Sequence, residues 1–115
     1  MVFNILVRNT DDHPRNHGFL VSESGLSLSP AYDIVPELTL KGAGTRFNLA
    51  MTVGKTGREG TLENAVSACE QFGLSEKQAK EIIEHMIEHT QNWKELFSEL
   101  GVTDRDITLL APGFE

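Results

Sequence analysis

Apolar residues recur at helical spacing through the second half of the chain. Residues 62–72 carry apolar residues three or four positions apart. Thr61 stands where an N-cap is expected, and Gly73 stands where the helix would end. Cys69 lies on the same apolar face, so we expect a small core residue and not a reactive thiol. The pattern predicts a first helix over this stretch.

A second, longer helical pattern follows. Ser75 and Gln78 match a capping box, and a stripe of apolar residues over 79–100 leads to Gly101, which can end the helix. A third, short helix is predicted to start after Thr103. We expect these three helices to supply most of the core.

The first half of the chain has a different pattern. Two short stretches, 19–21 and 26–29, flank Ser-Glu-Ser-Gly and predict a β-hairpin in which Gly25 takes a left-handed conformation. Residues 38–60 are rich in Gly and Lys, which favours a loop region. Within it, Phe47 to Val53 is predicted to be extended.

The composition limits the classes of function. A length of 115 residues fits one domain, and the net charge of −7 argues against direct binding to a nucleic-acid backbone, which needs clustered Lys and Arg. No apolar run is long enough to span a membrane, and the first residues do not resemble a signal peptide. The single cysteine excludes an internal disulfide and suits a reducing compartment. We therefore expect a cytoplasmic protein.

The candidate chemistry lies in residues 9–33. Asp11 and Asn16 stand five positions apart, and Asp33 follows the predicted hairpin. Protein kinases use such a set around ATP: one aspartate accepts the proton of the attacking hydroxyl, while an asparagine and a later aspartate hold the metal ions. Clusters of Asp, Asn, Gly and Pro are also typical of turns, so the spacing alone leaves a plain turn open.

The residues around this set are more specific than its spacing. Residues 9–17, Asn-Thr-Asp-Asp-His-Pro-Arg-Asn-His, and residues 28–33, Leu-Ser-Pro-Ala-Tyr-Asp, strongly resemble the HipA family. Its members are bacterial toxin-type serine/threonine kinases of type II toxin–antitoxin pairs. The family's catalytic loop reads roughly Asp-x-His-x-Lys-Asn, and Arg15 here keeps the positive charge of that lysine. The family's metal aspartate follows Pro-x-Tyr, as Asp33 does here.

The resemblance implies Mg²⁺ and ATP as cofactors and a set of site residues around the phosphates. By role these are catalytic Asp11, His13 and Arg15, metal-binding Asn16 and Asp33, and cofactor-binding His13 and Tyr32. His17 has no assigned role. The implied partners are a DNA-binding antitoxin protein and a protein substrate such as an aminoacyl-tRNA synthetase, with no direct contact to nucleic acid or membrane.

The resemblance also implies a fold class that is mainly α with a small β-hairpin, part of the helical C-terminal lobe of a HipA-type kinase. In a single domain, 1–115, residues 1–60 would hold the catalytic loop and hairpin, and residues 61–115 would be helical. Residues 2–8 are too short for periodicity to separate strand from helix. The resemblance makes them the end of a helix that runs into the catalytic loop.

The chain then opens inside an element, and it carries neither the phosphate-covering loop nor the strand lysine of a kinase. We therefore expect a segment that lacks the nucleotide clamp and is inactive alone. The alternatives are half of a split toxin completed by another chain, and a non-catalytic protein-binding module.

Two other motifs are weaker candidates for a functional site. His85 and His89 complete His-x-x-Glu-His, an inverted zinc-protease pattern, but His89 falls on the apolar seam of the predicted helix. A packed helix is the better interpretation. Gly54-Lys55-Thr56 resembles the end of a phosphate-binding loop, yet Leu49 stands where that motif needs glycine. We expect neither to be a site.

Overall fold

The computed structural model describes residues 1–39 and 44–114, which are mainly α-helical with one small β-hairpin, as predicted. Part of the predicted loop region, residues 40–43, lies outside the described residues. The described elements are α1 Val2–Leu6, β1 Phe19–Ser22, β2 Gly25–Leu28, α2 Leu62–Val66, α3 Glu76–Gln91, α4 Trp93–Glu99 and α5 Asp104–Leu110. Short 3-10 turns cover Pro14–Asn16, Cys69–Phe72 and Ala111–Gly113. The division of the domain at residue 60 stays a prediction.

Helix α1 ends just before the candidate loop, which confirms the prediction for residues 2–8. The N–H of Asn9 donates to the carbonyl of Asn4 at 2.8 Å, and Arg8 between them has φ 52°. A left-handed residue other than glycine is uncommon and marks a sharp turn out of the helix. The Arg8 guanidinium donates to the carbonyl of Pro112 at 3.1 Å, which ties this turn to the end of the chain.

The hairpin formed by β1 and β2 follows directly after the candidate loop. The strands pair antiparallel, with Phe19 opposite Leu28 and Ser22 opposite Gly25. Gly25 has φ 114°, so the predicted positive φ is confirmed. All eight strand residues are exposed. The strand ladder therefore positions the segment that follows the hairpin, with little help from burial.

The central core joins both halves of the chain. Ile5 of α1, Leu49 and Val53 of the loop region, and Ala65 of α2 form one buried cluster. The C-terminal helices contribute further buried residues, so they share the core with the first half. The stretch 47–53 forms no strand; its surroundings contain only isolated bridges, Asn48 to Glu59 and Gly54 to Gly57.

Asn64 holds the loop region onto α2. Its Nδ2 donates to the carbonyls of Gly57 at 3.1 Å and Glu59 at 2.8 Å, and its Oδ1 accepts from the N–H of Thr56 at 2.9 Å. The residue is only 3% exposed, and a buried amide needs such partners. The side chain of Asn64 therefore adds to the backbone bonds of the loop region, such as that from the N–H of Leu49 to the carbonyl of Arg58.

The first predicted helix is interrupted, contrary to the single helix expected over 62–72. Helix α2 ends at Val66, and a separate 3-10 turn covers Cys69–Phe72. At the break, Ser67 Oγ donates to the carbonyl of Asn64 at 2.6 Å and accepts from the N–H of Lys55 at 2.9 Å. Side chain–backbone bonds of this kind compete with the helical ladder. Cys69 is buried, which confirms its expected place in the core.

The second predicted helix is also divided, because α3 ends at Gln91 and α4 begins at Trp93. Before the break, Thr90 Oγ1 donates to the carbonyls of Met86 at 3.0 Å and Ile87 at 3.1 Å. These bonds again compete with the helical ladder.

Helix α4 packs through aromatic rings. Trp93 stacks on Phe114 with ring centroids 4.3 Å apart, and Phe97 meets Trp93 edge-on at 5.3 Å. Leu96 and Leu100, expected on a continuous apolar face, are exposed because the helix turns its aromatic side inward.

The predicted helix caps are confirmed. Ser75 and Gln78 form a capping box, and the side chains of Thr61 and Thr103 accept from the third backbone N–H of their helices. Gly73 and Gly101 have φ 70° and 83°, as glycines that follow helical turns often do. Within the described residues, no helix has both the length and the apolar character needed to cross a membrane.

Candidate active site

The candidate loop is a tight turn that brings Asp11 and Asn16 into contact. Pro14 stands at the start of the 3-10 turn Pro14–Asn16, where its fixed φ is suitable. The N–H of Asn16 donates to the carbonyl of His13 at 2.9 Å and closes the turn. The side-chain Nδ2 of Asn16 then donates to the backbone carbonyl of Asp11 at 3.0 Å.

The Asp11 carboxylate faces solvent, with 81% of its side chain exposed. Its ionic neighbour is His13, whose Nε2 lies 3.9 Å from Asp11 Oδ2, beyond hydrogen-bond distance. The other ring nitrogen of His13, Nδ1, is buried and has no hydrogen-bond partner among the described residues. Buried polar atoms normally have a hydrogen-bond partner, so His13 Nδ1 is an exception, and it lies in the same loop as the candidate base Asp11.

Asp12 and His17 form a second contact across the same turn. His17 Nε2 lies 2.7 Å from Asp12 Oδ1, and Asp12 is 3% exposed. The sequence motifs assign no role to either residue. The only pattern in the sequence that points to the pair is its spacing, which repeats the five-residue separation of Asp11 and Asn16 one position later.

The segment after the hairpin returns to this loop. Tyr32 Oη donates to the backbone carbonyl of Arg15 at 2.8 Å. Asp33 follows directly; it is exposed and has φ 56°, a left-handed conformation. The structure thus brings Tyr32 onto the loop that carries Asp11, His13, Arg15 and Asn16. The roles of these residues stay predictions.

A cleft of about 170 Å³ separates the loop from the returning segment. Its walls are polar on the loop side and mixed on the other, and they include Asn9, Asp12, Asn16, His17 and Tyr32. At its base, Asn9 Nδ2 donates to Asn4 Oδ1 at 3.2 Å. The base of the cleft is therefore anchored to α1.

The donor atoms of the candidate metal residues fit a hard cation. Asn16 and Asp33 offer an amide oxygen and a carboxylate, the oxygen ligands that Mg²⁺ prefers. In the part of the chain that the structure describes, no three His, Cys, Asp or Glu side chains are grouped to hold a metal ion. Because Mg²⁺ in phosphoryl-transfer sites is held by one or two carboxylates together with substrate phosphates, the available donors fit an ion that arrives with a nucleotide.

The two weaker motifs offer no comparable arrangement. His85 and His89 are both exposed, with their Nε2 atoms 3.1 Å apart, so the expected place of His89 on an apolar seam is wrong. The apolar face of α3 that contains Ile83 packs toward α1 and α2, whereas both histidines face outward. In the Gly54-Lys55-Thr56 segment, Ser67 Oγ and Asn64 Oδ1 accept the N–H groups of Lys55 and Thr56. Those groups are therefore not turned toward a phosphate.

The family model of the HipA-like C-terminal domain matches residues 1–94. This match covers most of the chain and includes the candidate loop, the hairpin and α1 to α3. The chain belongs to the HipA-like C-terminal domain family, which confirms the resemblance drawn from residues 9–17 and 28–33. No curated protein and no solved structure matches the chain.

Proposed function

We propose that this chain carries the catalytic base and the magnesium ligands of a HipA-like serine/threonine protein kinase. The observation that supports this most is the bond from Asn16 Nδ2 to the carbonyl of Asp11, inside the stretch matched by the family. A backbone carbonyl accepts only from the nitrogen of the amide, so the bond fixes which end of Asn16 is available. The amide oxygen is left for a cation.

Asp11 is the proposed catalytic base. Its carboxylate is largely exposed, so a serine or threonine hydroxyl of a protein substrate can come within hydrogen-bond distance. His13 lies beside the carboxylate, and the backbone of Arg15 is held by Tyr32. The bond from Tyr32 holds the loop in place while the Asp11 carboxylate accepts the proton.

Asn16 and Asp33 are the proposed metal ligands. When bound, Mg²⁺–ATP supplies the transferable phosphoryl group and the positive charge that neutralises it. Asp33 is one of two described non-glycine residues with positive φ, and such conformations cluster at functional sites. Asp33 is also exposed, so a cation can reach it.

Phosphoryl transfer needs further groups, which cover the phosphates and pair a lysine with a glutamate. Residues 1–115 supply the base and metal ligands, so we propose that the clamp is contributed from outside this stretch, within the same protein or by another chain. A charge-neutralising group of this kind is worth about a thousandfold or more in rate. Transfer by these residues alone would then be negligible.

The proposed setting is that of the family. We infer that the chain works as the HipA resemblance implies, in a cytoplasmic toxin–antitoxin kinase with a DNA-binding antitoxin protein and a protein substrate such as an aminoacyl-tRNA synthetase as partners. The acidic surface, with a net charge of −7, agrees with protein partners more than with direct binding to nucleic acid.

Paramagnetic broadening of NMR signals by Mn²⁺–ATP tests the location of the site, since Mn²⁺ accepts the same oxygen ligands as Mg²⁺. We expect broadening confined to residues 11–17 and 32–33. Broadening centred on the acidic surface of α3, at Glu76, Glu81 and Glu84, would contradict the proposal, and so would its absence. The non-catalytic binding module would then be the better interpretation.

A further inference from the structure

We infer that Asp12 and His17 are positioning residues that hold Asp11 and Asn16 in their relative places. The inference rests on the proposed function for the use of that geometry. Each member of the pair directly follows one of the two site residues in the chain. The contact between Asp12 Oδ1 and His17 Nε2, 2.7 Å, therefore lies next to the 3.0 Å bond between Asn16 Nδ2 and the carbonyl of Asp11.

The two contacts together close one small ring of backbone. Both span five positions, and both cross the 3-10 turn Pro14–Asn16. A single cross-link leaves the two ends of a turn free to rotate about it, whereas two adjacent cross-links remove that rotation. The distance and the relative direction of Asp11 and Asn16 are then both fixed, as a preorganised site requires.

The burial of Asp12 indicates a positioning role and not a direct one. Asp12 is 3% exposed and its carboxylate is bound to His17, whereas the Asp11 side chain is 81% exposed, so Asp11 is the better placed of the two to reach a substrate hydroxyl. A buried carboxylate is costly without a partner, and a donor at 2.7 Å is within the range of charge-assisted bonds. The bond with His17 therefore offsets the free-energy cost of burying the Asp12 carboxylate.

The alternative pair in the loop is less suited to this task. His13 Nε2 and Asp11 Oδ2 are 3.9 Å apart, and the Asp11 side chain is mostly exposed. That contact is too long for a hydrogen bond and too solvated to fix a geometry. Asp12 and His17 also line the same cleft as Asn9, which bonds to Asn4 of α1.

The test compares His17→Ala with His17→Gln, whose amide nitrogen can take the place of Nε2. A matched control, His85→Ala, removes an exposed histidine of α3 far along the chain. Two quantities are measured on the purified chain: the NMR signals of the Asn16 side-chain amide without nucleotide, and the Kd for Mg²⁺–ATP by calorimetry. Urea denaturation verifies that each variant is folded. If His17→Ala does not fold, Asp12→Asn replaces it, with a smaller change expected in the same direction.

We expect His17→Ala to shift the Asn16 amide signals toward those of a solvated amide and to weaken Mg²⁺–ATP binding about tenfold, the effect of losing roughly one good hydrogen bond. His17→Gln should restore both quantities, and His85→Ala should change neither. If His17 only stabilised the fold, His17→Ala would lower the stability, and His17→Gln would not restore the Asn16 amide signals.

Unchanged Asn16 signals in folded His17→Ala would overturn the inference. So would a shift of these signals with an unchanged Kd, or a failure of folded His17→Gln to restore them. If the wild type does not bind Mg²⁺–ATP, the proposed function fails, and the amide signals alone then decide whether the pair sets the loop geometry.

Discussion

The side-chain amide of Asn16 donates a hydrogen bond of 3.0 Å to the backbone carbonyl of Asp11. An ordinary turn is closed by a backbone bond, and this loop already has one, from the N–H of Asn16 to the carbonyl of His13. The additional side-chain bond is not needed to close the turn. It instead fixes the orientation of the Asn16 amide and leaves its oxygen available, which agrees with the proposed role of Asn16 as a metal ligand.

Replacement of Asn16 by alanine should weaken the binding of Mg²⁺–ATP. The change removes the proposed ligand oxygen and the bond to the carbonyl of Asp11, and losses at metal sites are typically about 10- to 100-fold in affinity. Calorimetric titration measures the Kd. Gln91→Ala, at the exposed end of α3, is the matched control and should bind as the wild type does. Equal affinity for Asn16→Ala and wild type would exclude Asn16 as a ligand.

Asn64→Ala should destabilise the fold. The N–H of Thr56 loses its partner, and the carbonyls of Gly57 and Glu59 each lose one of the bonds that they accept. An unsatisfied group costs about 1–3 kcal/mol, and each lost bond about 1 kcal/mol. Because water can enter the loop, we expect a net loss of about 3 kcal/mol in the free energy of unfolding. Urea denaturation followed by Trp93 fluorescence measures it. The exposed Asn48→Ala should lose far less, and equal losses would contradict the role of Asn64.

Two glycines should respond differently to alanine. A Cβ at Gly54 would lie 1.9 Å from the carbonyl oxygen of Asn64, whereas a Cβ at Gly73 would meet nothing within 4 Å. Gly54→Ala forces the loop away from α2 and should cost about 3 kcal/mol or more. Gly73→Ala introduces only the backbone strain of a non-glycine residue at a φ of 70°, about 1 kcal/mol. Denaturation curves of the two variants compare these costs, and a smaller loss for Gly54→Ala would show that the loop packs differently.

The pair Glu76 and Lys80 on α3 should respond to pH. The hydrogen bond and the charge of Lys80 hold the pKa of Glu76 below its ordinary value of 4.5. A lowered folded-state pKa stabilises the fold above pH 4.5, and this contribution is lost as pH falls through the folded pKa. Lys80→Gln should therefore raise the pKa of Glu76 in a carboxyl NMR titration. An unchanged titration midpoint would show that the ion pair does not persist in solution.

The features that sequence predicts well are local ones. The capping box of Ser75 and Gln78 and the positive φ of Gly25 each depend on a few neighbouring residues. The candidate loop is of the same kind, because Asp11 and Asn16 meet across one turn. Such features need no knowledge of the rest of the fold.

The features that sequence misses depend on tertiary contacts. The break after α2 arises where Ser67 and Asn64 bond to a loop that comes earlier in the chain. The hydrophobic periodicity of the sequence does not indicate this break. The pair of Asp12 and His17 is missed for another reason. Its spacing is visible, but only the burial of Asp12 distinguishes a structural contact from two polar surface residues.

A thermal shift with Mg²⁺ and ATP tests whether the proposed metal–phosphate site is assembled in this chain. A ligand that binds only the folded state raises Tm in step with its concentration relative to Kd. We predict a rise for the wild type and for the matched control Asp104→Ala, and none for Asp33→Ala, each compared with its own Tm without ligand. No rise at millimolar ATP, or an equal rise in Asp33→Ala, would show that this site is not assembled here.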